Sequence, residues 1–181
     1  MNNKTKKLAL MSLYISIALM LNIFENFLPT RYLVPGAKLG LANVITMISL
    51  LTLGKKDTIM ILVIRVLLGS IFGGGVSGFL YSISGSIFSF MSMTLIISLF
   101  KDKISMIGIS ATGAFFHSVG QVLMASIIIQ NVRIFSYLPM LLFASIVTGV
   151  FVGYTAKNTV EFMVKIKKMP VYNGKLMDYY I

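Results

Sequence analysis

Apolar residues run through this chain in long blocks, separated by short polar interruptions. Six blocks can be read: Leu8 to Leu28, Leu39 to Leu53 closed by Gly54, Thr58 to Phe72, Phe79 to Phe100, Ile104 to Gln130, and Tyr137 to Ala156 with a helical extension. Asp57 stands where a helix N-cap is expected for the third block. A helix that crosses a bilayer needs about 20 residues. The second and third blocks are shorter, so they are expected to tilt little or to use their flanks. Gly73, Gly74 and Gly75 interrupt an otherwise apolar stretch and predict a helical hairpin. A backbone in lipid must keep its hydrogen bonds, so it turns only at the interface or inside protein. The pattern predicts an all-α membrane protein, a six-transmembrane-helix bundle over residues 1–165, with a basic tail at 166–181.

Composition strengthens this reading. Of the 181 residues, 57% are hydrophobic and 12% charged, and the mean hydropathy is +0.90. Soluble domains carry about 25% charged residues. With no cysteine, disulfides and thiolate metal sites are excluded. A net charge of +11 would suggest nucleic acid as partner in a soluble protein. Here the cations sit in short loops, which fits the lipid bilayer and topology and not nucleic acid. Lys4, Lys6, Lys7, Lys55, Lys56, Lys101, Lys103 and the lysines from Lys157 onward fall on one side, against Arg31, Lys38 and Arg133 on the other. This bias places both termini in the cytoplasm and the chain in the cell membrane. The first block is too long for a secretory h-region, and Leu21 to Phe24 offer no small-x-small cleavage site, so it is expected to remain as a helix.

Ionisable groups inside a bilayer cost about 2.5–3.5 kcal/mol each on insertion scales. Three fall within the blocks: Glu25, Arg65 and His117. Gln121 follows His117 by one turn on the same face. Asn22 and Asn26 flank Glu25; Asn43 lies one turn into the second block, with Lys38 just above it. These groups share mid-depth or the outer half, so a closed bundle would let them line a cavity open to the outside. Arg65 and His117 suit a phosphate or carboxylate. Glu25 would hold Arg65 or meet a donor on the ligand. The plainer alternative is polar glue, with Glu25 paired to Arg65 and His117 to Gln121. Small residues recur at helix-packing spacing: Ser12 and Ser16; Gly78, Ser82, Ser86 and Ser89; Gly149 and Gly153. Such residues let backbones approach closely. Ser12 and Ser16 fall on the cytoplasmic half of the first helix, where another membrane subunit could dock.

No GxxxxGK[ST] loop, HExxH motif or nucleophile–base pair occurs. The five acids, Glu25, Asp57, Asp102, Glu161 and Asp178, are scattered, so no local magnesium-binding cluster can form. The chain reads as a binder or carrier, not an enzyme, with no cofactor or metal expected.

The stretches Glu25–Asn26 with Pro29, Pro35 to Asn43 (PGAKLGLAN), Arg65 to Gly69 and Gly113 to Gln121 resemble the Gx transporter family, also called heptaprenyl diphosphate synthase component I. Ser118 stands where that pattern has asparagine. The resemblance extends over about residues 8–165 and reaches the S components of energy-coupling factor (ECF) transporters. It implies six helices, a ligand site toward the outer face, and a cytoplasmic-side surface for a transmembrane coupling subunit served by two ATPases. By this resemblance Glu25, Asn43, Arg65, His117 and Gln121 would bind a small-molecule substrate, with Lys38 as an entrance cation. The substrate would be anionic or amphipathic, vitamin-like or an isoprenoid or quinone precursor. Two other readings stay open: a non-catalytic membrane subunit recruiting a soluble heptaprenyl diphosphate synthase, and a stand-alone scaffold.

Overall fold

The structure, a computed structural model, describes residues 3–25, 27, 40–100 and 103–165. Among these residues six α-helices carry the fold: α1 Asn3–Glu25, α2 Asn43–Thr52, α3 Lys55–Gly69, α4 Gly75–Phe100, α5 Met106–Ile129 and α6 Leu138–Lys165. No strand occurs among the described residues. Lys38 and the tail 166–181 lie outside them.

Side-chain contacts fix how the helices run. Lys7 of α1 pairs with Asp57 of α3 at 2.7 Å, and Asn22 of α1 lies beside Gly69 of α3, so these two helices are parallel. Tyr14 and Thr52 share a hydrogen bond at 3.2 Å, while Glu25 accepts one from the Leu41 N–H. Hence α2 descends along α1. One end of the bundle therefore gathers Lys4, Lys6, Lys7, Lys55 and Lys56, and the other holds Glu25, Gly40 and Gly69. The first is the basic end. Asp57 is not the N-cap of α3. That helix begins two residues earlier behind Gly54, whose φ of 90° favours glycine, and Asp57 in its first turn meets Lys7 instead.

Helix α2 is the hub. All ten of its residues are buried, and it packs against α1, α3, α4, α5 and α6. Its residues Met47, Leu50 and Leu51 have no accessible surface. Around them close Met11 and Tyr14 of α1, Ile61 of α3, Met93 and Ile97 of α4, Ile109 of α5 and Val152, Ala156 and Val160 of α6. At 1.5 Å per residue, α2 spans about 15 Å and α3 about 22 Å, short of a hydrocarbon core of about 30 Å. Among the described residues, four stretches are long and apolar enough to cross a membrane: Lys4–Glu25, Gly75–Phe100, Met106–Ile129 and Val132–Lys165. The chain is thus built as a multi-pass membrane protein, with two short helices held among longer ones.

Small residues set the α4–α5–α6 contacts. A Cβ at Gly149 would lie 2.7 Å from Cα of Ala111, and one at Gly153 2.7 Å from Cα of Ile107. A Cβ at Gly120 would lie 2.9 Å from the Ser84 carbonyl oxygen. The expected close-packing role of Gly149 and Gly153 holds. Gly78 differs, for nothing lies within 4 Å of its Cβ position. The expected hairpin does form: a turn at Ser70–Gly74 joins α3 to α4, with Gly73 at φ 135° and Gly75 at φ 59°.

Gly149→Val should therefore lower the stability of the detergent-solubilised protein by about 1–3 kcal/mol, the usual cost of overpacking. Gly78→Ala should not lower the melting temperature and, as a helix position with open space, should raise it slightly. Equal effects would place the helix contact elsewhere.

Candidate functional site

At the end of the bundle opposite the lysines, α1 to α5 bring their polar residues together. Arg65, on the buried face of α3, is 2% exposed. Its Nη2 donates to Ser86 Oγ of α4 at 3.0 Å and to Asn43 Oδ1 of α2 at 3.4 Å. Glu25, 3% exposed, ends α1 within electrostatic reach of Arg65. Its Oε1 takes the N–H of Leu41, which ties the last turn of α1 to the entry of α2. Asn22, Asn43, His117 and Gln121 are buried with them.

Glycines bed these side chains against neighbouring backbone. A Cβ at Gly85 of α4 would lie 2.9 Å from both His117 Cε1 and Gln121 Cγ of α5. One at Gly40 would lie 2.8 Å from Asn43 Nδ2 and 3.5 Å from His117 Cδ2, and one at Gly69 3.2 Å from Asn22 Nδ2. Gly40 has a φ of 80°, so both the turn and the close approach favour glycine there. Beside the cluster, Ser84 Oγ donates to the Gly120 carbonyl at 2.8 Å and locks α4 on α5.

Not every donor is used. Arg65 Nε and Asn43 Nδ2 are buried with no hydrogen-bond partner among the described residues, as are Ser89 Oγ and Ser110 Oγ deeper in the bundle. Each unsatisfied buried group costs about 1–3 kcal/mol. Arg65 and Asn43 are neighbours through their shared hydrogen bond, and each keeps an N–H of the kind that suits a carboxylate or phosphate oxygen.

The structure thus gathers Glu25, Asn43, Arg65, His117 and Gln121 in one place. They are packed within the bundle; two surface grooves of about 550 and 440 Å³ include none of them. Lys38 falls outside the described residues. Ser12 and Ser16 sit apart on an exposed face of α1, with Ser16 Oγ turned back to the Ser12 carbonyl at 2.9 Å. In the sequence Ser86 stands only as a packing residue and nothing singles out Gly85. Their signal was spacing: both lie on the small-residue run of α4 that faces Arg65 and His117.

Residues 14–159 match the family described as Heptaprenyl diphosphate synthase component I. The chain belongs to that family. In this component I chain the match begins at Tyr14, ends at Thr159 in α6, and takes in Glu25, Asn43, Arg65, His117 and Gln121. No curated protein and no solved structure matches the chain.

If Arg65 and Glu25 offset one another, removing one charge strands the other in a low-dielectric interior. Arg65→Met should cost about 3–5 kcal/mol, and adding Glu25→Gln should restore part of it. A double-mutant cycle on thermal unfolding in detergent reads the shared energy. A coupling near zero would show that the two charges are held independently.

Proposed function

We propose that this component I chain is a membrane-embedded capture subunit, the S component of an ECF-type importer, which binds a small anionic or amphipathic metabolite from the outer face. The observation that carries this reading is the buried set of unused donors, Arg65 Nε and Asn43 Nδ2, held among Glu25, Ser86, His117 and Gln121. Structural glue leaves few donors unmade, because burial without a partner is costly; a ligand oxygen would complete them. The ligand would be a vitamin-like acid or an isoprenoid or quinone precursor. Lys38 serves as the entrance cation. In this reading the basic end faces the cytoplasm and the chain resides in the cell membrane. The exposed Ser12–Ser16 face of α1 offers a close-packing surface to a transmembrane coupling subunit, which two cytoplasmic ATPases drive.

The family description favours a second reading: a non-catalytic membrane subunit that recruits a soluble prenyl diphosphate synthase through its basic end. Five scattered acids supply no magnesium cluster for prenyl transfer. Purified alone, the chain should therefore show no prenyl transferase activity under either reading.

Native mass spectrometry of the gently solubilised protein separates the two. A retained small anion, with a coupling subunit and ATPases co-purifying, supports capture. An empty chain that carries a soluble prenyl synthase supports recruitment. Asn43→Asp is the sharper variant: it removes the unused amide donor and places a carboxylate beside Arg65. The expected result is at least about a tenfold loss of anion affinity, the cost of one charge-assisted hydrogen bond, read on variant protein that still elutes as a single folded species. Unchanged affinity would move the binding site away from this cluster.

A further inference from the structure

A groove of about 550 Å³ runs along the basic half of α4, bounded by Lys55 at the start of α3 and by Thr112 and Phe116 of α5. Four hydroxyls line it, yet all are turned onto carbonyls of their own helices. Ser92 donates to Ser89 O at 2.9 Å, Thr94 to Phe90 O at 2.9 Å, Ser98 to Leu95 O at 2.8 Å and Thr112 to Gly108 O at 2.9 Å. Their protons are engaged, so the wall presents methyls, methylenes, the Met91 thioether and the rings of Phe88 and Phe116. The charge in the groove is Lys55. Its near neighbour Asp57 is neutralised by Lys7 at 2.7 Å, and among the described residues Lys55 has no ion-pair partner. An apolar trough ending in an ammonium matches a long hydrocarbon chain with an anionic head. Phe88 to Ser98 spans about 15 Å along the helix, half of a hydrocarbon core of about 30 Å. That length fits one acyl chain of one leaflet, with its head at the membrane surface.

We propose that this groove is a binding site for an anionic phospholipid, one acyl chain lying along α4 between Phe88 and Ser98 and its phosphate on Lys55. The site is separate from the Arg65 cluster and does not depend on the capture reading.

The test is native mass spectrometry of the delipidated full chain, offered equimolar phosphatidylglycerol and phosphatidylcholine of the same acyl length. One phosphatidylglycerol should be retained in preference by about fivefold, the contribution of one lysine near a membrane surface. Lys55→Gln should abolish the preference. Lys165→Gln, which removes a cation of the same end outside the groove, should keep it. Phosphatidylglycerol with six-carbon chains should not be retained. The proposal fails if the wild type shows no preference, if both lysine variants lose it equally, or if short chains bind as well as long ones. It fails too if an equimolar polyprenyl phosphate displaces the phospholipid, because the groove would then belong to that chain.

Discussion

A guanidinium that cannot give up its proton is buried where α1, α2 and α4 meet α3, and the rest of the bundle is arranged to tolerate it. An unpaired charge at that depth would be costly. Arg65 therefore draws partners from other helices: Asn43 opens α2, Glu25 closes α1, and Ser86 stands midway along α4. Each partner comes from a different element. The charge thus specifies which helices must meet, and the unused hydrogen-bonding capacity around it gives the meeting point a possible chemistry.

The second half of the structure answers a different demand. Helix–helix association in lipid gains little from hydrophobicity, so it relies on close packing. Gly149 and Gly153 let α6 lie on the backbone of α5, and Gly120 lets α5 lie on α4. These three helices form a tightly apposed wall. Helix α2 inserts between that wall and the α1–α3 pair, with Tyr14 joining α1, α2 and α6 through Thr52 and the Met163 sulfur at 3.8 Å. The polar end of α2 feeds the Arg65 cluster, while its apolar sides complete the core.

Much of this was legible in the residues. The six helices, the glycine turn at Gly73–Gly75 and the α5–α6 packing all follow from patterns with a direct physical meaning. The membership of Glu25, Asn43, Arg65, His117 and Gln121 in one cluster was also foreseeable, because intramembrane polar groups seek one another. Other features were hidden. Asp57 looked like a cap because capping is a local rule, but the long-range pull of Lys7 decided its role. Ser86 looked like packing because its spacing matched that purpose, and only the fold shows that Arg65 reaches it. The length of α2 was obscured as well: the apolar run starts before Asn43, and nothing apolar marks where a helix begins.

The unequal lengths of the helices make the molecule lopsided toward its solvent. Exposed apolar residues of α3, such as Ile59, Met60 and Leu67, belong to a helix of about 22 Å, whereas α4 and α6 reach about 39 and 42 Å. Even with the exposed Ile71 and Phe72 of the following turn, that flank is shorter than those of α4 and α6, so a bilayer of one thickness fits them unequally. It must thin beside α3, or the whole subunit must lean until the mismatch is shared, and each adjustment costs a fraction of a kcal/mol per ångström. Lipid chain length therefore becomes a mechanical input to this protein. Thinner membranes favour the upright pose by suiting the short flank, and thicker ones favour the lean.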